Sequence, residues 1–160
     1  MKIAVSSDSY DTMIGSLLEE LKKRGHEIEY FGPRHEKDAA VDWPEVTMLA
    51  IEEVKKGRAN EAIILCWTGT GCSIVANKVG GIRAALCFDG ETAKGARTYN
   101  HANVLALSLR LLSNGLLNEI LEAWFKTPYG QDDWNRLQVK RVNELDKESS
   151  AHLPNDSTRE

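Results

Sequence analysis

Five short apolar runs, each followed by a segment of helical periodicity, constrain this chain more than any other feature. KIAVS (2–6), EIEYF (27–31), AIILC (62–66), RAALC (83–87) and NVLALS (103–108) have strand length. Helix-like stretches fall at about 12–24, 44–57, 72–79, 90–99 and 113–125. Gly25 and Gly57 stop the first two, and Pro44 suits the first turn of the second. Several of the runs are apolar on both faces, which a strand needs only when both faces are covered. Strict strand–helix alternation therefore predicts an α/β fold: a Rossmann-like, doubly wound, five-stranded parallel sheet with helices on both faces. Trp134, Leu137, Val142 and Leu145 mark a last helix over 131–147. One domain spans 1–147, and the polar ESSAHLPNDSTRE (148–160) reads as a disordered tail.

Composition narrows the function. A net charge of −4 argues against nucleic acid or an anionic membrane as the main partner. No apolar run reaches signal-peptide or membrane-span length. Three cysteines without CxxC spacing fit free thiols in a reducing cytoplasm. No cluster of His, Cys, Asp and Glu has metal-ligand spacing, so no metal site is expected.

Ligands of doubly wound sheets bind beyond the carboxyl ends of the strands. At one such end stands CWTGTGCS (66–73), a cysteine that opens a glycine loop entering a helix. The glycines let backbone N–H groups converge, and a helix N-terminus adds positive potential, so the loop suits a phosphate, a carboxylate or a developing oxyanion. It is not a dinucleotide fingerprint, because Ile74 holds the third glycine position. Nor is it a P-loop, because no lysine precedes Lys78. Cys66 in this setting can be a nucleophile, a redox thiol or a general base; the alternative is an inert buried cysteine closing a strand.

The block CWTGTGCSIVANKVGGIRAALCFD (66–89), with NHANVLAL (100–107), MKIAVSSD (1–8) and WPEVTMLAIEEV (43–54), resembles the B-type ribose-5-phosphate isomerases and the related galactose-6-phosphate isomerase subunits. The likeness covers about residues 1–145. It implies aldose–ketose isomerisation of a sugar or sugar phosphate through a cis-enediolate, without metal or cofactor. It also implies a homodimer or tetramer with each active site at a subunit interface. Cys66 matches the family's base, and Thr68 the hydroxyl that helps move a proton between the two oxygens. The amides of Trp67, Gly69, Thr70 and Gly71 would hold the enediolate oxygen. Asp8, Ser9, Asn100, Arg110, Arg136 and Arg141 complete the expected substrate contacts.

Four departures fall at expected site positions. Ser9 replaces a histidine in the family's S-D-H-A-G run, and Trp67 replaces a glycine beside the base. Tyr99 stands where a histidine opens the furanose ring; His101, two residues on, is the other candidate for that role. In the phosphate clamp NRLQVKRV (135–142), Arg141 matches the second arginine and Leu137 replaces the first, with Arg136 and Lys140 close by. A base and anion loop kept beside an altered clamp point to a substrate other than ribose 5-phosphate: a four-carbon or non-furanose sugar phosphate, or a free sugar. A sugar-phosphate-binding protein without catalysis is the competing reading, since the altered residues weaken the site. A thiol redox protein is a third; it lacks a resolving CxxC, and Cys72 is expected nearly two helical turns away.

Among the remaining residues, Asp8 could merely cap the next helix, and Arg110 could be a surface ion pair. Cys72 and Cys87 are expected to pack, and Trp43, Trp124 and Trp134 to lie in the core or an interface. His26, His35 and His152 are expected at the surface.

Overall fold

A computed structural model describes residues 1–151, with side chains through Lys147. Five parallel strands, β1 (Lys2–Ser7), β2 (Glu27–Phe31), β3 (Glu61–Cys66), β4 (Ala84–Leu86) and β5 (Val104–Ser108), form one sheet in the order β2-β1-β3-β5-β4. Six helices connect and follow them: α1 (Thr12–Lys23), α2 (Trp43–Lys55), α3 (Thr70–Ala76), α4 (Gly90–Asn100), α5 (Asn114–Lys126) and α6 (Asp133–Ala151). The α/β architecture read from the alternation is the one observed. None of these helices is long and apolar enough to cross a membrane.

The sheet separates two apolar layers. On one face Ile3, Val5, Ile63, Leu65, Leu105 and Leu107 pack with residues of α1, α4 and α5, centred on the fully buried Trp124. On the other face Ala4, Ile64 and Ala106 pack with Ala50 and Ile51 of α2 and with Cys72 and Ala76 of α3. All six residues of β3 are buried, as the central strand of a doubly covered sheet must be.

Local chemistry sets the helix starts. Asp11 caps α1 by accepting from Met13 N, Asp89 and Thr92 form a capping box on α4, and Ser113 caps α5. Helix α3 covers Thr70–Ala76 rather than about 72–79: it starts directly after Gly69, and at its end the Asn77 side chain bonds Ala84 N and O. Helix α6 runs to Ala151, past the expected tail boundary at 147. The rest of that expected tail, 152–160, lies outside the described residues, as does His152.

This topology creates one position of divergence. β1 feeds α1 on one face, and its neighbour β3 feeds α3 on the other. The chain therefore splays apart beyond Ser7 and Cys66, which opens a crevice at the carboxyl edge between β1 and β3.

Candidate active site

Cys66 ends β3 at that crevice. Register places Ser7 opposite Leu65 on one side and Ser108 opposite Cys66 on the other. The loop that follows folds tightly back. Gly69 has φ +76°, and its N–H reaches the Cys66 sulfur at 3.2 Å. A Cβ at Gly69 would sit 2.5 Å from Leu86 Cδ1 and 3.0 Å from the Leu107 carbonyl, so only glycine makes this turn without strain. Gly71 is needed for another reason: the Trp43 ring lies against it, 3.2 Å from where a Cβ would stand. The Thr68 and Thr70 hydroxyls bond each other at 2.7 Å on the open side of the loop.

Backbone bonds fix this turn to β5. Leu109 N reaches Cys66 O at 3.1 Å, Arg110 N reaches Trp67 O at 3.1 Å, and the Ser108 hydroxyl donates to Trp67 O at 2.9 Å. Arg110 thus emerges at the same edge as Cys66, exposed and with no ion pair among the described residues.

From β1, Asp8 enters the crevice half-buried, accepts the Ser9 hydroxyl at 3.1 Å, and acts electrostatically on Cys66. Asp11, not Asp8, caps α1, so the Asp8 carboxylate is not consumed as a cap. Its carbonyl accepts Val41 N at 2.8 Å, which ties the 32–42 loop to this edge.

The Cys66 thiol is held far below the ordinary thiol range, at about 5. The Cys72 thiol is the main cause; the Cys72 and Gly69 amides add to it, and burial and Asp8 oppose it. With α3 only two turns long, these local donors, the Cys72 thiol first, rather than a helix dipole carry the effect. The expected separation of the two thiols is therefore corrected. The turn at Gly69 brings Cys72, on the first turn of α3, back onto Cys66. Cys87 behaves as expected: it is buried in the core, and burial pushes its thiol up to about 12.

A second group of expected residues lies elsewhere. Tyr99 and Asn100 end α4, which descends from the carboxyl end of β4 to the start of β5. Between the levels of Val104 and Ser108, β5 rises four residue steps, roughly 13 Å. Tyr99 and Asn100 therefore stand at the amino edge of the sheet, the far edge from Cys66 in the same chain. There they line a cleft of about 480 Å³ with Asn77, Arg83, Val139 and Val142.

His101 is engaged in packing. It takes a left-handed cap position (φ 49°), stacks on Tyr129 at 4.7 Å, and holds its Nε2 2.8 Å from the Gly130 carbonyl. Tyr129 and Trp124 in turn sandwich Arg97, whose Nη1 bonds Glu61 Oε1 at 2.7 Å. Tyr99, by contrast, is 55% exposed.

On α6, Arg136 and Arg141 are both exposed. Successive residues of a helix point about 100° apart, so Arg136 does not share the face that Leu137 and Arg141 present one turn apart. Arg136 reaches Gln131 Oε1 at 3.2 Å instead.

Trp124 is the core tryptophan among the three expected in the core or an interface; Trp43 and Trp134 are exposed in the single chain. One side-chain expectation needs correction. His26 is half-buried, its ring 4.4 Å from that of Phe125, and burial lowers its pKa. His35 is exposed as expected. Cys72 and Trp43, expected only to pack, both touch the loop. The six-residue spacing from Cys66 across a positive-φ glycine was the available signal for Cys72.

A thiol of depressed pKa on a glycine loop at the switch point of a doubly wound sheet defines a class: α/β proteins with a polarised thiol at the ligand-binding edge of the sheet. The comparisons narrow it. The family model described as Ribose/Galactose Isomerase matches residues 3–145, and the chain belongs to that family. The solved structure of Clostridium thermocellum ribose-5-phosphate isomerase B superposes with a TM-score of 0.85 at 36% identity, covering 92% of this chain and 99% of that one. Galactose-6-phosphate isomerase subunit LacB of Clostridium acetobutylicum is 35% identical over 138 residues, 86% of this chain and 79% of its own. The D-erythrulose-4-phosphate isomerase of Pectobacterium atrosepticum is 42% identical over 87 residues, 54% of this chain and 57% of its own. The chain is a sugar-phosphate isomerase of the ribose-5-phosphate isomerase B type.

Proposed function

We propose that this enzyme interconverts an aldose phosphate and its ketose through a cis-enediolate, with Cys66 as the base and a four-carbon sugar phosphate as the preferred substrate. The observation that carries the reading is the Cys66 sulfur at the carboxyl end of β3, under the Gly69 amide, with its thiol held down to about 5. The thiolate removes the proton from the carbon next to the carbonyl and returns it to the neighbouring carbon. No redox partner is needed, because one carbon is reduced as its neighbour is oxidised. The open side of the loop, with the Thr68 hydroxyl, faces the oxygens between which the second proton moves. Tyr99, Asn100, Arg136 and Arg141 join this site from a second copy of the chain in a homodimer or larger even-numbered assembly, since their own copy holds them at the opposite edge. Asp8, Ser9 and Arg110 contact the substrate from the Cys66 side. A cytoplasmic location fits the reduced thiol.

The substrate follows from the ring. A furanose forms when the C4 hydroxyl attacks C1. In a four-carbon 4-phosphate that oxygen carries the phosphate, so the sugar stays open and needs no ring-opening acid. The histidine that Tyr99 replaces is therefore no loss for such a substrate. Trp67, 59% exposed beside the base, shortens the space available. The relative named D-erythrulose-4-phosphate isomerase fits the same substrate class.

The test is deuterium incorporation at C1 and C2 in D₂O, followed by NMR, with D-erythrulose 4-phosphate, ribose 5-phosphate and unphosphorylated sugars. The account predicts exchange that is fastest with the four-carbon phosphate and lost in Cys66→Ala. Faster exchange with ribose 5-phosphate would reject the substrate, and binding without exchange in any sugar would favour a pure binding protein.

A further inference from the structure

The two sulfurs at the base of the loop have opposite surroundings. Cys66 faces donors: Gly69 N–H at 3.2 Å, the Cys72 amide and the Cys72 thiol. Cys72 faces mainly acceptors: its sulfur lies 3.2 Å from Gly69 O and 3.8 Å from Ile64 O, and these outweigh the Ser73 amide, which acts the other way. Cys66 keeps 6% of its surface open to the crevice, whereas Cys72 is wholly buried. A sulfur ringed by N–H and S–H donors favours the thiolate, and one ringed by carbonyl oxygens favours the thiol. The roles cannot be exchanged.

We propose that Cys72 is a positioning residue for the Cys66 base, its S–H rotating between two acceptors as Cys66 changes charge. When Cys66 is a thiolate, the Cys72 hydrogen points at it. When Cys66 carries the substrate's proton, the same hydrogen turns to Gly69 O. The Cys72 proton never leaves its sulfur, and neither state leaves a buried donor without an acceptor. Gly69 ties the device together, because its N–H holds one sulfur and its carbonyl receives the other. Burial and the neighbouring thiolate push Cys72 up, consistent with a sulfur that never ionises. Asp8, from the end of β1, is the charged group acting on both sulfurs, and it disfavours ionisation of each. On β5 the facing residue is the neutral Ser108.

The inference rests on the reading of Cys66 as the base, and its test separates the two. Thiolate formation is followed by absorbance near 240 nm and by iodoacetamide alkylation across the acid range, with Cys66→Ala as the blank. The proteins are the full chain, Cys72→Ala, Cys72→Ser and Cys72→Val, with sugar exchange measured on the same samples. Losing the donor in Cys72→Ala should raise the Cys66 midpoint by about one pH unit or more. The acid limb of the rate profile should rise with it, and Cys72→Ser, which keeps a donor, should recover part of the shift. Cys72→Val removes the donor while filling the space, and serves if the alanine variant fails to fold. An unchanged midpoint in a folded donor-less variant would overturn the proposal. A shifted midpoint in a protein whose wild type exchanges no sugar proton would support the pairing and reject Cys66 as base.

Discussion

The two edges of the sheet are built on different terms. At the carboxyl edge, Cys66, Gly69, Cys72, Ser108 and Asp8 are fixed by short hydrogen bonds within one chain, and the turn at Gly69 tolerates no other residue. At the amino edge and along α6, Tyr99, Arg136, Arg141, Trp134 and Leu145 stand exposed, with little to hold their side chains. The departures from the family pattern fall at both edges. Cys66, Thr68, Gly69 and Gly71 are retained in the turn, whereas Trp67, exposed on the same loop, and Ser9 differ at the carboxyl edge, and the ring-opening histidine and the first clamp arginine are lost from the exposed one. Chemistry that depends on a turn only glycine can make is hard to alter without unfolding the turn; contacts carried by exposed side chains change at little cost to stability. Substrate choice is therefore expected to drift at the positions around the turn and at the amino edge while the base stays.

The largest expected effect tests the carboxyl edge alone. Cys66→Ala should lower exchange by roughly 10²–10⁴-fold and leave ligand affinity nearly unchanged by calorimetry. Gly69→Ala comes next. It places a Cβ against the Leu107 backbone at a positive φ and should cost roughly 2–5 kcal/mol of stability in urea unfolding; a loss below 1 kcal/mol would break the claim that this edge is rigid. At the amino edge, Arg141→Ala should act on KM rather than kcat, by about tenfold for a phosphorylated substrate, in line with one lost charged contact. Smallest is Tyr99→Phe, which should change turnover of a four-carbon phosphate less than about threefold, because no ring has to be opened. Its counterpart Tyr99→His sharpens the comparison by raising ribose 5-phosphate turnover. The pH profile has a definite sign. The Cys66 pKa lies near 5, so the rate should rise as pH passes upward through about 5 and level above it. A limb near 8 would mean an unassisted thiol.

The sheet was legible because burial on both faces writes itself as uninterrupted apolar runs, as in AIILC, and because Gly25, Pro44 and Gly57 punctuate the helices between them. The Cys66 loop was legible for a similar reason: a glycine held at positive φ between a strand and a helix leaves a local trace. What stayed hidden depends on contacts across the fold. Cys72 reads as an ordinary apolar helix residue until the turn at Gly69 brings it onto Cys66. His101 reads as a spare catalytic histidine until Tyr129 and Gly130, nearly thirty residues away, occupy its ring. The separation of Tyr99 from Cys66 follows from the direction of α4 and could not be read from residue spacing.

Subunit complementation tests the central claim, that each site joins the Cys66 edge of one chain to the amino edge of another. Cys66→Ala and Arg136→Ala/Arg141→Ala proteins are each assayed below KM, then mixed, unfolded and refolded together. A random dimer gives half its molecules as heterodimers, each with one intact site, so the mixture should regain about a quarter of wild-type activity. If the mixture shows only the average of its two inactive parents, both edges serve within a single chain and the account is wrong.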